Sequence, residues 1–195
     1  MAIKFSDVKF YKSVWLGTKE VYFDEKKEVL FVGRSNMWKS SLMNAIFEKK
    51  DLVKTSSTPW KTRLANIFLV ENKYYLTDLP WYGFAKLWRD FKAELDGLIS
   101  WYLEEKKSTI KNVIMLIDSK LGAQESDIDM YKYILWLELP VTIVLSKIDK
   151  LSNNEISKSV NHAKENFFWQ EIFTVSSSKK IWINELSKHI SKSLS

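Results

Sequence analysis

Val29-Leu30-Phe31-Val32-Gly33-Arg34-Ser35-Asn36-Met37-Trp38-Lys39-Ser40-Ser41 is the stretch whose reading decides the fold. The unbroken apolar run at its start reads as a strand covered on both faces. It enters a turn and then a helical pattern over Lys39–Phe47. Gly33, Lys39 and Ser40 keep the spacing of a P-loop, G-x4-G-K-[ST]. In such a loop, backbone N–H groups and the helix amino terminus point at phosphate oxygens. Lys39 would neutralise β- and γ-phosphates, and Ser40 would place its hydroxyl on Mg²⁺. Gly33, Arg34, Ser35, Asn36, Met37, Trp38, Lys39 and Ser40 are therefore the candidate phosphate-binding residues. Position 38 departs from the pattern, which asks for glycine there. Taken alone, the segment also fits an ordinary strand-to-helix turn.

Outward from it, apolar β-rich runs alternate with helical patterns, the signal of an α/β fold. Strands are predicted at Glu28–Val32, Asn66–Val70, Tyr74–Asp78, Val113–Asp118, Val141–Ser146 and Ile172–Val175. Helices are predicted at Lys39–Phe47, Lys86–Lys106, Ser126–Glu138, Asn154–Asn166 and Asn184–Leu194. The expectation is a six-stranded, mostly parallel sheet with helices on both faces, in one domain over residues 1–195. Residues 48–65 form a long irregular stretch, and loops of that length are more often functional than idle.

Three further elements follow strands. Asp78-Leu79-Pro80-Trp81 stands where a P-loop NTPase keeps the acidic residue that reaches Mg²⁺ through water. Ser146-Lys147-Ile148-Asp149 has the [NTS]-K-x-D form. Its aspartate can accept both guanine N1–H and the N2 amino group, a donor pair adenine lacks. Lys147 would lie along the base and brace the P-loop. Val175-Ser176-Ser177 can offer a backbone N–H to guanine O6. All four elements fall at strand carboxyl ends, where open α/β sheets bind ligands.

Composition narrows the class. At 46% hydrophobic and 28% charged, the 195-residue chain is neither disordered nor fibrous. No apolar run approaches the roughly 20 residues that span a bilayer. No signal region opens the chain, so a cytoplasmic location is expected. The absence of cysteine excludes disulfides and thiolate metal sites. Thirty basic against 24 acidic residues give +6, a mild bias toward polyanions. Only Arg34, Arg63 and Arg89 are arginine; the remaining lysines suit phosphate backbones rather than base-specific reading. Lysines 49, 50, 54 and 61 crowd the long loop, and 106, 107 and 111 flank the fourth predicted strand. Asp118 is read as ending a strand and Glu125 as opening a helix, and His162 and His189 as solvated.

The motifs together make the resemblance specific. Gly33-Arg34-Ser35-Asn36, Ser56-Ser57-Thr58-Pro59-Trp60-Lys61-Thr62, Asp78-Leu79-Pro80-Trp81-Tyr82-Gly83-Phe84-Ala85-Lys86, Ile117-Asp118-Ser119 with Gln124-Glu125-Ser126-Asp127, and Ser146-Lys147-Ile148-Asp149 resemble the EngB/YihA/YsxC family of bacterial ribosome-assembly GTPases. The likeness covers nearly the whole chain. It implies a G domain that binds GTP and GDP with Mg²⁺, hydrolyses GTP, and acts in large ribosomal subunit assembly and in cell division. It implies that Trp60, Lys61, Thr62, Arg63 and Leu64 contact the nucleotide, with Thr62 the switch I threonine that joins Ser40 on Mg²⁺. Lys39 and Thr62 are then the catalytic residues, and residues 78–86 begin switch II. Asn36 matches an asparagine that helps hold K⁺ in some related GTPases. Like family members, the chain lacks a catalytic glutamine after D-x-P-G and has Tyr82 there, which implies slow intrinsic hydrolysis. The implied partner is the large-subunit precursor, its RNA and proteins. No membrane or DNA partner and no oligomer are implied.

The departures share one direction. Trp38, Trp60, Trp81 and Trp182 each stand where the family pattern has glycine. Glycine occurs 5 times, where roughly 14 would be usual, and tryptophan 9 times. Three explanations remain open at this level. UGA codons read as glycine in some bacteria are here written as tryptophan; the protein is a nucleotide-free pseudo-GTPase docking on an RNA–protein particle; or it is a live GTPase with a remodelled loop.

Overall fold

The structure, a computed structural model, describes residues 3–15, 25–34, 38–53, 64–82 and 89–195, without the side chains at 89–92 and 94. Its centre is the strand of the opening motif, β2 (Glu28–Gly33), buried along its whole length. Alternate residues of β2 serve two cores. Leu30 and Val32 pack with Ile99, Tyr102 and Ile134 on one face; Val29 and Phe31 pack with Leu42, Ile46, Leu186 and Ile190 on the other. A strand that must fill two cores has no polar face, which explains its unbroken apolar run.

In chain order the remaining elements are β1 (Val8–Val14), which precedes β2, then α1 (Lys39–Ile46), β3 (Ala65–Val70), β4 (Tyr74–Asp78), α2 (Arg89–Glu105), β5 (Ile110–Asp118), α3 (Glu125–Trp136), β6 (Val141–Ser146), α4 (Asn153–Asn166), β7 (Glu171–Thr174) and α5 (Ile183–Leu194). The sheet has seven strands in the order β1-β3-β4-β2-β5-β6-β7. The five from β4 to β7 run parallel, and β3 runs antiparallel to both its neighbours, β4 and β1. Helices α2, α3 and α4 cover one face, and α1 and α5 the other.

The strand count of six is corrected by β1. This edge strand leaves most of its residues partly or fully exposed, so its mixed VKFYKSV pattern carries little burial signal. The β3–β4 hairpin turns through the three residues Glu71 to Lys73, between the paired Val70 and Tyr74; Glu71 and Asn72 have positive φ (47° and 53°).

The chain leaves β2 for β3 and β4 on one side and returns to β5 on the other. The crevice at the β2 carboxyl end is therefore the sheet's switch point. Register places the ends of neighbouring strands together: Phe31 beside Asp78, Gly33 beside Leu116, and Asp118 beside Ser146. The opposite rim carries buried polar contacts of its own. The Tyr102 hydroxyl donates to Glu28 at 2.6 Å, with Thr77 against the same carboxylate. His189 is not solvated as the sequence reading has it. Its Nε2 lies 2.8 Å from Thr142 Oγ1, and its Nδ1 2.8 Å from Glu171. Burial holds its pKa below the usual value.

Candidate functional site

At the switch point, α1 begins on Lys39, the second residue type demanded by the loop motif. Lys39 is buried, and its Nζ donates to the Asp78 carboxylate and to the Leu79 carbonyl. The lysine of the loop and the aspartate ending β4 thus meet across the β2–β4 pair. Burial pulls the Lys39 amine down to about 7. Ser40 follows on the same turn, half-buried. Ser35, Asn36 and Met37 lie outside the described residues, as do Trp60, Lys61, Thr62 and Arg63 of the long loop; Leu64 is half-buried just ahead of β3.

The segment after Asp78 is anchored in three places. Leu79 is fully buried and its N–H donates to Phe31 O at 3.1 Å. Pro80 is buried and Trp81 half-buried. Tyr82 is buried, bridges to Arg34 of the P-loop, and donates its hydroxyl to Asp127 Oδ1 at 2.9 Å. The other oxygen of Asp127 accepts the Gln124 N–H at 2.9 Å, closing a capping box on α3. Desolvation raises the pKa of both Tyr82 and Asp127, and the Arg34 charge opposes each shift. The position where a catalytic glutamine would stand therefore holds a tyrosine tied into the protein.

On the base side, β6 ends at Ser146, whose hydroxyl donates to Ile117 O. Lys147 has a left-handed backbone (φ 65°) and begins a 3-10 turn, Ile148–Lys150. Its Nζ donates to Asp118 Oδ2 at 2.7 Å. Burial would raise the Asp118 pKa, but the bonds from Lys147 and from the Lys120 N–H hold it low. The reading of Asp118 as merely the end of a strand missed this role. It positions the lysine of a motif 29 residues away, which no local pattern reveals.

Asp149 is oriented by two hydroxyls. Ser176 Oγ donates to its Oδ1 at 2.5 Å and Ser178 Oγ to its Oδ2 at 3.2 Å. These bonds, Ser176 first, keep its carboxyl below the usual range. Ser178 was not singled out by the sequence reading. Val175 is buried and donates to Leu145 O, and the buried Ser176 donates its N–H to Ile181 O at 3.2 Å. Neither amide is free for a ligand. Of that expected trio, Ser177 is the residue whose N–H enters no described backbone bond.

The tryptophans divide by backbone. Trp38 caps α1 at φ 60° and ψ 28°, and Trp182 caps α5 at φ 57° and ψ 18°. Bulky residues are outliers in this left-handed region, where glycine is at home. Trp169, which the sequence left unassigned, shares it at φ 66° and is fully exposed. Trp81 does not have a positive φ, so the objection there is bulk alone. The Trp38 indole is half exposed, with Lys150 Nζ 5.8 Å from its ring centre. The side chain at the head of α1 thus lies beside the turn that carries Asp149.

Residues 28–147 match the family model described as a 50S ribosome-binding GTPase. A protein of Lactobacillus helveticus named "Probable GTP-binding protein EngB" is 35% identical over 176 residues, covering 88% of this chain and 89% of that one. Its namesake in Aquifex aeolicus is 42% identical over 137 residues, 70% of this chain and 74% of the other. Among solved structures, one titled as a probable GTP-binding protein engB superposes with a TM-score of 0.73 at 21% identity, covering 86% of this chain and 98% of that one. Era in complex with MgGDPNP and part of 16S ribosomal RNA gives 0.66 at 23% identity, over 85% of this chain and 56% of Era. With Lys39 and Asp78 at one end of the crevice and Lys147 and Asp149 at the other, the chain belongs to the EngB family of GTP-binding proteins and is a GTPase of that family.

Proposed function

We propose that this protein is a guanine-nucleotide switch, one G domain over residues 1–195, acting in the cytoplasm on the assembling large ribosomal subunit and required for cell division. The observation that carries the nucleotide reading is Asp149, an ionised carboxylate held at a strand end by Ser176 and Ser178. Two aimed acceptor oxygens are what the paired N–H donors of guanine require. The partner reading rests on the family and on the mild basic balance.

In this reading Gly33 through Ser40 cradle the phosphates, Lys147 flanks the base, and Ser177 offers its N–H to O6. Trp60 to Leu64 and Asp78 to Trp81 form the two switches, with Lys39 and Thr62 catalytic. Ser40 and Thr62 would hold Mg²⁺, and Asn36 would join K⁺. A hydroxyl with the nearby Asp78 carboxylate makes a hard oxygen set suited to magnesium. A metal held by these residues would supply charge neutralisation to the phosphates. Lys39 leaves Asp78 for the phosphates and holds charge developing on the transferred group. Tyr82 has no proton to offer water while bound to Asp127, so intrinsic hydrolysis is slow and rises on the ribosomal particle.

We infer further that glycine stands at 38, 60, 81 and 182 in the protein as the cell makes it. The left-handed backbones of Trp38 and Trp182 support this. The test compares a fluorescent GDP analogue on the chain as written and on Trp38→Gly/Trp60→Gly/Trp81→Gly/Trp182→Gly. Saturable Mg²⁺-dependent binding by the glycine form, abolished by Asp149→Ala, is the expected result. Asp149→Asn should shift preference from guanine to xanthine, whose C2 carbonyl faces the new amide donor. Equal binding by both forms would mean a remodelled loop; binding by neither would leave the nucleotide-free docking module.

A further inference from the structure

A groove of about 810 Å³ opens where the amino-terminal segment, the end of α1 and the start of α5 meet. Five of its 17 lining residues are lysines: Lys4, Lys49, Lys50, Lys180 and Lys188. Lysine makes up 27 of the chain's 195 residues, so the groove holds about twice the share of the whole. Glu48 is the sole acidic residue lining it. All five lysines are exposed, and among the described residues no carboxylate pairs with any of them. They come from three separate parts of the chain, so only the fold assembles the patch.

We propose that this groove is an RNA-binding surface that takes a phosphodiester backbone. The inference rests on the reading that the protein works on ribosomal RNA–protein particles, and names the face that meets the RNA. Lysines gathered along a groove with Glu48 as its one acidic lining residue attract a chain of phosphates without reading its bases. They release condensed counterions as they do so. Neutral polar residues between them, such as Asn184 and Ser187, suit sugar and phosphate oxygens. The groove also reaches the nucleotide site. Ser41 lines it one residue beyond Ser40, and Ser177 lines it beside the buried Ser176 that holds Asp149. RNA seated there lies beside the nucleotide crevice and shares Ser177 with it.

The test is fluorescence anisotropy of the full chain, without nucleotide, on a labelled RNA hairpin with a single-stranded tail of about 30 nucleotides. Five phosphate contacts predict a slope of log K against log salt of about −3.5. Lys49→Glu/Lys180→Glu/Lys188→Glu should weaken binding at least about tenfold at low salt and flatten the slope by about two. Lys132→Glu/Lys158→Glu/Lys164→Glu carries the same charge change on α3 and α4, on the other face, and should cost less than about threefold. A Lys→Gln set at the three groove positions replaces the Glu set if circular dichroism shows that the latter is unfolded. Equal losses from both faces, or unchanged binding by the groove variant, would overturn the groove while leaving RNA as partner. Polyglutamate bound more tightly than RNA at the same salt would overturn the choice of RNA. No binding of RNA by the wild-type chain at 50 mM salt, about the low end of such titrations, would sink the ribosomal reading itself.

Discussion

Trp169 isolates the cost of an aromatic residue in a left-handed backbone, because it is fully exposed and loses no packing when removed. Such a conformation costs about 1–3 kcal/mol outside glycine. Trp169→Gly should therefore raise the melting temperature by a few degrees, about 2–4 °C for each kcal/mol at this size. An unchanged or lower value would remove the argument from backbone strain. Peptide masses on protein from its native host should show glycine at 38, 169 and 182. Lys39 gives a second prediction at this scale. Burial lowers its amine to about 7, and bound phosphates favour the ammonium. Binding then takes up a proton above that pH, so GDP affinity should fall from pH 7 to 8.5, by at most about tenfold per unit. Flat affinity over that range would show that Lys39 enters the complex already charged. Lys39, Asp78 and Asp149 were legible in the sequence because spacing to a strand end marks them. Asp118 and Ser178 were not, since each acts through a partner distant in the chain.

The helices predicted from periodicity match α1 to α5, and the buried strands match as well, because both patterns repeat over many residues. β1 escaped detection because an edge strand with few buried residues leaves no such repeat. The tie between the segment after Pro80 and α3 was likewise invisible: Tyr82 and Asp127 lie 45 residues apart. Tyr82→Phe removes the phenol donor and leaves a buried carboxylate oxygen of Asp127 unpaired. The expected cost is about 1–3 kcal/mol in urea denaturation, with faster release of bound GDP as the segment after Pro80 loosens. A variant with both stability and release rate unchanged would show that the bond neither supports the fold nor restrains the switch.

At the scale of the molecule, one sheet carries two unlike rims. The carboxyl rim gathers Lys39, Asp78, Lys147 and Asp149, charged groups poised for a ligand. The amino rim gathers Glu28 with Tyr102, and Thr142 with His189 and Glu171, polar groups bound to one another. A saturating mutational survey of this chain should therefore resolve into two bands along the strands. Changes at one rim would lower abundance in the cell and leave the specific activity of surviving protein intact. Changes at the other would leave abundance intact and silence the protein. Descent can then retune what the protein binds without reopening the question of whether it folds, since the parallel strands hold the two tasks a strand's length apart.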